Sequence, residues 1–429
     1  MTFVPSITGI SIGIGIEINI QYPTRKSNVQ FSLALHLHPW ATSHFQKKQT
    51  RVYYAYMKLG IDCLTEHSFS RLQSQRVGLL SHLAAVSSHG RTTAEILHES
   101  VNLVALFGPE HGFLGQALAG ETTTSFEHPE WHIPVHSLYG ATRRPTPDMI
   151  TDIDCVVCDL QDLGVRCYTY LATLKNMMSA CAEAGIRIIV LDRPIPLPNT
   201  VDGPIREAQL DSFVAPAPVP FVIGMTPAES ARWMQHHLIP DSILDIVPME
   251  VASRDDIRFD ALQHFVPPSP GIRSPQAAMI YPATVFTEAI PSIDCGLGTD
   301  NAFTVFGAPW MNGEAFCDIL DPSAFPGIHF EPTPFLSAKE YAGQTLQGVR
   351  IVVDNRNAFR PFTTGMRLLD TIFRTYGLDR SWKQPSTRQK WFDSLVGVPA
   401  LREALLAGEP YSTTPPSAYM AEREAILLY

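Results

Sequence analysis

One short loop brings together a carboxyl group, an imidazole and several glycines. In GPEHGFLG, Glu110 and His111 lie between Gly108 and Gly112, directly after the apolar run VNLVALF. Glycine lets the backbone approach a ligand closely, and a carboxyl beside an imidazole suits proton transfer. Such a loop, directly beyond the carboxyl end of a strand, is a usual ligand site of a doubly wound sheet. We therefore predict that Glu110 and His111 are catalytic, the alternative being a tight turn with a solvated glutamate.

Polar side chains also follow three other apolar runs. The run RVGLL precedes His82, CVVC precedes DLQDLGVRCYTY, and IRIIV precedes LDRP. Tyrosine rings at these strand ends suit sugar rings. The Asp–Arg neighbours in both segments alternatively form structural ion pairs, and His82 is alternatively a satisfied polar group. The predicted substrate contacts are His82, Glu121, Asp159, Gln161, Asp162, Arg166, Tyr168, Tyr170, Asp192, Arg193 and Glu288.

Several other chemistries lack their sequence signals. The glycines around Glu110 do not have GxGxxG spacing, and no GxSxG or HExxH motif occurs, so nucleotide, serine-hydrolase and metal-dependent chemistry are not indicated. We predict no cofactor and no metal. The mechanism that remains possible uses a pair of carboxyl groups, as in glycoside hydrolysis, where one of the two protonates the leaving oxygen. Glu110 is the predicted acid, and Glu121 or Glu288 the second carboxyl group.

Composition limits the partners. The net charge is -10, from 42 acidic and 32 basic residues without a basic stripe, which argues against nucleic acid because its affinity depends on Lys and Arg. No run of 18 apolar residues predicts a membrane span. Seven cysteines, an odd number, indicate a reducing compartment, and residues 6–20 lack the marks of a secretory signal. We predict a cytoplasmic location, with secreted or periplasmic as the alternative.

Apolar runs alternate with helical periodicity from Arg76 onward. This order predicts an α/β fold with a parallel sheet, and 429 residues are enough for two or three domains. CVVCDL places Cys155 and Cys158 inside a strand, as packed core thiols. We predict an extension over residues 1–56 that is either of uncertain order or an added strand or two, a Rossmann-like domain over 57–215, and a smaller C-terminal α/β domain over 216–429, with the active site in the cleft between the two domains.

A series of blocks in this order resembles one known family. The blocks LVALFGPEHGFLGQALAGE, D-QD-G-R-YTY, LDRP-P, FGAPW and the final R-ILLY resemble the NamZ exo-β-N-acetylmuramidases, also called DUF1343, from about Leu59 to Tyr429. The resemblance implies a Rossmann-like domain joined to a smaller domain. It also implies removal of terminal N-acetylmuramic acid from peptidoglycan fragments, with Glu110 at the catalytic position.

Some positions depart from the family pattern. These are His82, Ile195, Ile223, Leu297 and Asn301, of which the last two stand where the family has arginine. An arginine fork binds carboxylates in a bidentate manner, and muramic acid differs from glucosamine by a lactyl carboxylate. The sequence therefore leaves two alternatives open: a catalytically altered glycan-binding or regulatory homologue, and an esterase or amidase that uses the same cleft.

Overall fold

A computed structural model describes residues 57–115 and 117–429 together with the backbone of two short strands. The chain divides into two compact units, residues 1–54 and 55–429, and each is considered by itself. In the first unit, β1 (Ile16–Ile18) pairs antiparallel with β2 (Leu33–Leu35). The rest of the predicted extension over residues 1–56 lies outside the described residues.

The second unit contains a seven-stranded, mostly parallel sheet. Its spatial order is β5-β6-β4-β3-β7-β8-β9, and only β5 runs antiparallel to its neighbour. Because the central strands are buried on both faces, they read as apolar runs rather than as alternating patterns. The strands are β3 (Arg76–Ser81), β4 (Asn102–Gly108), β5 (Phe126–Glu127), β6 (Pro134–Ser137), β7 (Cys155–Asp159), β8 (Arg187–Leu191) and β9 (Leu244–Val247).

Helices connect these strands, and local signals fix their ends. Thr92 caps the second helix by accepting from the backbone N–H of Glu95, whose carboxylate returns a hydrogen bond to Thr92, as the sequence predicts. The fourth helix ends at Gly185, which has a left-handed φ of 66°. The helices are α1 (Gly60–Glu66), α2 (Thr93–Ser100), α3 (Pro147–Ile150), α4 (Tyr170–Ala184) and α5 (Pro227–His237).

The second part of this unit has a smaller sheet and more helices than the first part. A three-stranded antiparallel sheet has the order β10-β12-β11. Its elements and the helices around it are α6 (Pro275–Thr284), β10 (Val305–Phe306), α7 (Gly313–Ile319), β11 (Ile328–Leu336), β12 (Thr345–Val353), α8 (Pro361–Tyr376), α9 (Leu378–Ser381), α10 (Gln389–Val396), α11 (Pro399–Ala407) and α12 (Ser417–Glu424). The prediction of an α/β fold with a parallel sheet and a second, smaller domain is confirmed.

One strand belongs to a different sheet from the one expected. β9 follows residue 216 and was therefore predicted within the C-terminal domain, but it pairs in parallel with β8 at the edge of the large sheet. The Pro-rich segment 196–220 therefore lies between two neighbouring strands of the large sheet, β8 and β9. We propose that the domain boundary lies beyond β9, near the second Pro-rich passage at 267–275.

All seven cysteines are free thiols, and Cys155 and Cys158 lie buried in β7 as predicted. Within the described part of the chain, no helix is both long and apolar enough to cross a membrane.

Candidate functional site

The loop after β4 is tightly folded and strained at one residue. His111 has a φ of 71°, in the left-handed region that residues other than glycine seldom adopt. A Cβ at Gly108 would lie 2.4 Å from the backbone nitrogen of Phe113, so only glycine permits this turn. Strain of this kind persists where surrounding structure imposes it, often at functional sites. It supports the functional interpretation of the loop over a plain solvated turn.

Glu110 is buried, with 8% of its surface exposed, and both of its carboxylate oxygens accept hydrogen bonds. Oε1 accepts from the backbone N–H of Gly120 at 2.9 Å, and Oε2 accepts from the Thr169 hydroxyl at 2.6 Å. The Tyr139 hydroxyl also hydrogen-bonds Glu110, and burial together with the Glu110 charge raises the pKa of Tyr139 to about 12. Three donors from separate segments therefore hold this carboxyl group in place.

His111 supports the same arrangement from within the loop. Its Nδ1 donates to the Ala117 carbonyl oxygen over 2.8 Å, which leaves Nε2 with the lone pair in the neutral ring. The backbone N–H of Ala117 in turn donates to the His111 carbonyl oxygen. These bonds fix the turn that presents the Gly120 N–H to Glu110. His111 thus lies beside Glu110 and orders the segment that binds it.

Glu288 is the second carboxyl group near Glu110. It lies in a 3-10 helix (Val285–Ala289) that follows α6, on the smaller domain. Burial is the main cause that raises its pKa to about 7; Arg388 and Lys339 oppose this shift, and the negative charge of Glu110 adds to it. We call the region formed by Glu110, Tyr139, Thr169 and Glu288 the interdomain site.

Asp159 and Arg193 form a structural ion pair. Both are buried, and the Arg193 guanidinium donates to both Asp159 oxygens, with Nη2 at 2.8 Å from Oδ2. Thr93 also donates to Asp159, and Arg193 Nη1 donates to the Val86 carbonyl at 2.9 Å. The charged atoms of Asp159 and Arg193 are thus already paired with protein groups, as the structural alternative expects, and substrate contact at these two residues stays a prediction. The expected partner of Arg193 was Asp192, and that pairing is wrong.

Arg166 is fully buried and binds carbonyl oxygens rather than Asp162 or a ligand. Its Nη1 donates to Pro204 and Val219 at 2.8 and 2.9 Å. Its Nη2 donates to Leu395 and Val396, both at 2.9 Å. Arg166 therefore does not form the alternative ion pair with Asp162, and substrate binding by Arg166 stays a prediction.

Asp192 binds the far end of the described chain. Its carboxylate accepts from the Tyr429 hydroxyl at 2.6 Å, the Thr226 hydroxyl at 2.9 Å and the Ala228 N–H at 3.0 Å. Burial, with Glu229 adding to it, raises the pKa of Asp192 to about 7. Protein groups therefore bind the Asp192 carboxylate, and its substrate role stays a prediction.

His82, Tyr170 and Gln161 form a buried chain of hydrogen bonds. The Gln161 N–H donates to His82 Nε2 at 3.0 Å, His82 Nδ1 donates to the Tyr170 hydroxyl at 3.2 Å, and that hydroxyl donates to the Pro268 carbonyl at 2.6 Å. Burial lowers the pKa of His82 to about 3, which keeps the ring neutral. Gln161 Nε2 donates to Pro194 and Asp162 carbonyls. Both ring nitrogens of His82 thus have protein partners, as the alternative of a satisfied polar group expects, and substrate contact by His82, Gln161 and Tyr170 stays a prediction.

Three predicted contacts remain near the interdomain site or its loop. Asp162 is buried and accepts from the Gly164 N–H at 2.6 Å, and burial raises its pKa to about 7. Tyr168 packs edge-on against Tyr170 and Tyr281. Glu121 is exposed and accepts from the Leu118 N–H at 2.8 Å, so it closes a turn beside Gly120.

Sequence reasoning missed three groups that contact Glu110. Thr169 lies between the two tyrosines of the YTY block, and its hydroxyl was the signal available there. Tyr139, directly after β6, was visible in the block SLYG, but β6 itself was not predicted. The Gly120 N–H carries no side-chain signal.

The residue types present do not form a metal site in the described ranges, where no group of three His, Cys, Asp or Glu is placed to hold an ion. Surface cavities of about 500 and 390 Å³ lie elsewhere, the first beside α1 and β9 and the second beside α8, and no predicted site residue lines them.

Among the positions that depart from the family pattern, Leu297 packs against Gly271, and Asn301 Oδ1 accepts from Arg350 at 2.8 Å.

Family models and a known relative match most of this chain. The model for the N-terminal part of exo-β-N-acetylmuramidase NamZ matches residues 77–276, and the model for its C-terminal part matches 279–429. The peptidoglycan β-N-acetylmuramidase NamZ of Bacillus subtilis is 34% identical over 345 residues, which are 80% of this chain and 82% of that protein.

Two crystal structures of DUF1343 family proteins from Bacteroides fragilis have a similar fold. One has a TM-score of 0.77 at 30% identity and the other 0.62 at 24%, and each match covers 87% of this chain and 99% of the other chain. The second likeness shows the fold alone. With both family models matched in order over most of its length, the chain belongs to the NamZ exo-β-N-acetylmuramidase family.

Proposed function

We propose that this protein removes terminal N-acetylmuramic acid, or a related amino sugar, from peptidoglycan-derived fragments by means of Glu110 and Glu288. Family membership makes it a glycosidase. The observation that carries the mechanism is the placement of two carboxyl groups, one from each domain, within electrostatic range of each other. Glycoside cleavage by most enzymes requires such a pair.

The surroundings of the two carboxyl groups suit different tasks. Hydrogen bonds from Gly120, Thr169 and Tyr139 hold the Glu110 carboxyl group in a fixed position, as a base or nucleophile requires. Burial and the nearby Glu110 charge keep Glu288 protonated up to about pH 7, as a general acid requires. We therefore propose Glu288 as the acid and Glu110 as the base or nucleophile, which reverses the role expected for Glu110 from sequence.

His111 is proposed as a positioning residue. Its Nδ1 bond to Ala117 orders the turn that carries the Gly120 N–H, and that N–H binds Glu110. Loss of the imidazole would displace the carboxylate rather than remove a reacting group.

The two thiols that interact electrostatically with Glu288 do not favour an amidase or esterase mechanism. The thiols nearest Glu288 are those of Cys167 and Cys295, and burial raises the pKa of each to about 12. A thiol with that pKa is not a thiolate at neutral pH. The seven free thiols fit a reducing compartment, and we propose that the protein processes recovered fragments in the cytoplasm.

The test compares Glu110→Gln and Glu288→Gln on two leaving groups. Purified variants are assayed on a muramoyl disaccharide and on an N-acetylmuramoyl glycoside of an activated phenol, which needs little protonation. Glu288→Gln is expected to lose about 10²- to 10⁴-fold on the disaccharide and far less on the phenol glycoside. Glu110→Gln is expected to lose at least as much on both substrates.

Glu130→Gln, at an exposed position on the same domain, is the matched control and is expected to behave as wild type. A reversed pattern, with Glu110→Gln spared on the phenol glycoside, would exchange the two roles. Absence of wild-type hydrolysis of both substrates would contradict the proposed function and favour a glycan-binding protein.

A further inference from the structure

A cation lies beside the interdomain site without an acidic partner. The Arg143 guanidinium is centred 4.8 Å from the Tyr139 ring centroid and 4.7 Å from that of Phe213. Among the described residues it forms no ion pair. Tyr139 is the link to the chemistry, because its ring contacts Arg143 and its hydroxyl binds Glu110.

Two aromatic rings contact Arg143, and its guanidinium N–H groups have no hydrogen-bond or ion-pair partner among the described residues. Stacking engages the flat faces of a guanidinium, whereas its N–H groups point outward in the plane. A cation ordered in this way loses little conformational freedom when it binds a planar anion. The in-plane fork matches a carboxylate in a bidentate manner.

Several arginines of the second domain are engaged by protein groups. Arg273 Nη1 lies 2.7 Å from Asp300, Arg350 Nη2 donates to Asn301, and Arg388 donates to the Glu288 carbonyl. Lys339 has no ion pair among the described residues, but it is an exposed side chain on a turn with no aromatic support. Arg143 is also exposed, but it differs from Lys339 in that two aromatic rings contact its guanidinium.

The neighbouring arginine has a different environment. Arg144 forms an ion pair with Glu183 on α4. Adjacent residues of the same type therefore differ in one property: Arg144 is neutralised by the protein and Arg143 is not.

We propose that Arg143 recognises a carboxylate on the substrate, the group by which muramic acid differs from glucosamine. This inference rests on the proposed function, since it assigns a specificity residue to the same site. Arg143 would supply the carboxylate recognition that the apolar Leu297 cannot.

The test measures kcat/KM on two phenol glycosides with the same leaving group, one N-acetylmuramoyl and one N-acetylglucosaminyl. Arg143→Met is expected to lower kcat/KM for the muramoyl substrate by about 10- to 100-fold, the loss of a charge-assisted hydrogen-bond pair. The value for the glucosaminyl substrate should change by less than about twofold, because no carboxylate is present. Arg143→Lys should retain part of the discrimination, since it keeps the charge without the fork.

Arg144→Met is the matched control and should leave both values unchanged, and thermal unfolding checks that all variants are folded. An equal loss on both substrates would make Arg143 a structural support of Tyr139 and overturn the proposal. Loss of discrimination in Lys339→Met but not in Arg143→Met would also overturn it. Failure of the wild type on both substrates would instead contradict the proposed function itself.

Discussion

Two loops at the same edge of the large sheet look alike in sequence and differ in the structure. The loop after β4 and the connection after β7 each place charged residues directly beyond a buried strand. After β7, Asp159 and Arg166 bind only protein groups and are fully buried. After β4, Glu110 is held by donors beside a second carboxyl group, and His111 has a strained φ. A charged residue at a strand end therefore indicates a site only if its contacts with protein groups leave it able to react with a substrate.

The largest expected effect is a difference in the free energy of unfolding between a variant of one loop and a variant of the other. Asp159→Asn leaves the Arg193 charge buried without its counter-ion, which should cost about 3–5 kcal/mol in the free energy of unfolding. Glu110→Gln keeps neutral hydrogen bonds at a partly polar site and should cost about 1 kcal/mol or less. Urea unfolding followed by tryptophan fluorescence measures both. A stable Asp159→Asn variant that has lost turnover would place Asp159 in the site and remove the contrast.

A smaller effect concerns the pH dependence of activity. Because the pKa of Glu288 is raised to about 7, the acid is protonated below that pH and loses its proton above it. We expect kcat/KM on the disaccharide to fall about tenfold per pH unit above pH 7. In Glu288→Gln the residual activity should lack this fall, because the amide does not titrate. A fall that persists unchanged in the variant would assign it to another group, such as Asp162.

The smallest effect is expected from the segment outside both loops. The buried clusters of the described chain are built from Leu59 onward, so deletion of residues 1–56 should change the Tm by no more than about 2 °C. Differential scanning calorimetry of the truncated and full-length chains measures this. Loss of soluble expression on truncation would show that the segment contributes to the core.

The sequence predicted helix ends well where they depend on interactions between neighbouring residues. The Thr92–Glu95 capping box and the Gly185 stop each depend on neighbours within a few residues, and both are as expected. β11 was not predicted, because Pro332 and Pro334 argue against a strand. Both prolines lie on an edge strand, two residues apart, so their missing N–H groups fall on the side that has no partner strand.

The contacts that separate site from scaffold are long-range. Asp159 meets Arg193 across two neighbouring strands, and Arg166 meets Leu395, which is 229 residues away in sequence. No spacing rule links such residues. The sequence therefore indicated the Glu110 loop through its glycines and its strand-end position, but it did not distinguish the satisfied charges after β7 from ligand contacts.

Arg166 has a consequence for motion between the two domains. Its guanidinium joins the loop after β7 to the crossing at Pro204 and Val219 and to the end of α10. The fit is close, since a Cβ at Gly397 would lie 2.5 Å from Arg166 Nη2. Hinge opening between α10 and the large sheet would break charge-assisted bonds in a buried place, where no water replaces them. We therefore expect the two domains to keep their relative positions when a sugar binds, so that recognition does not depend on domain closure.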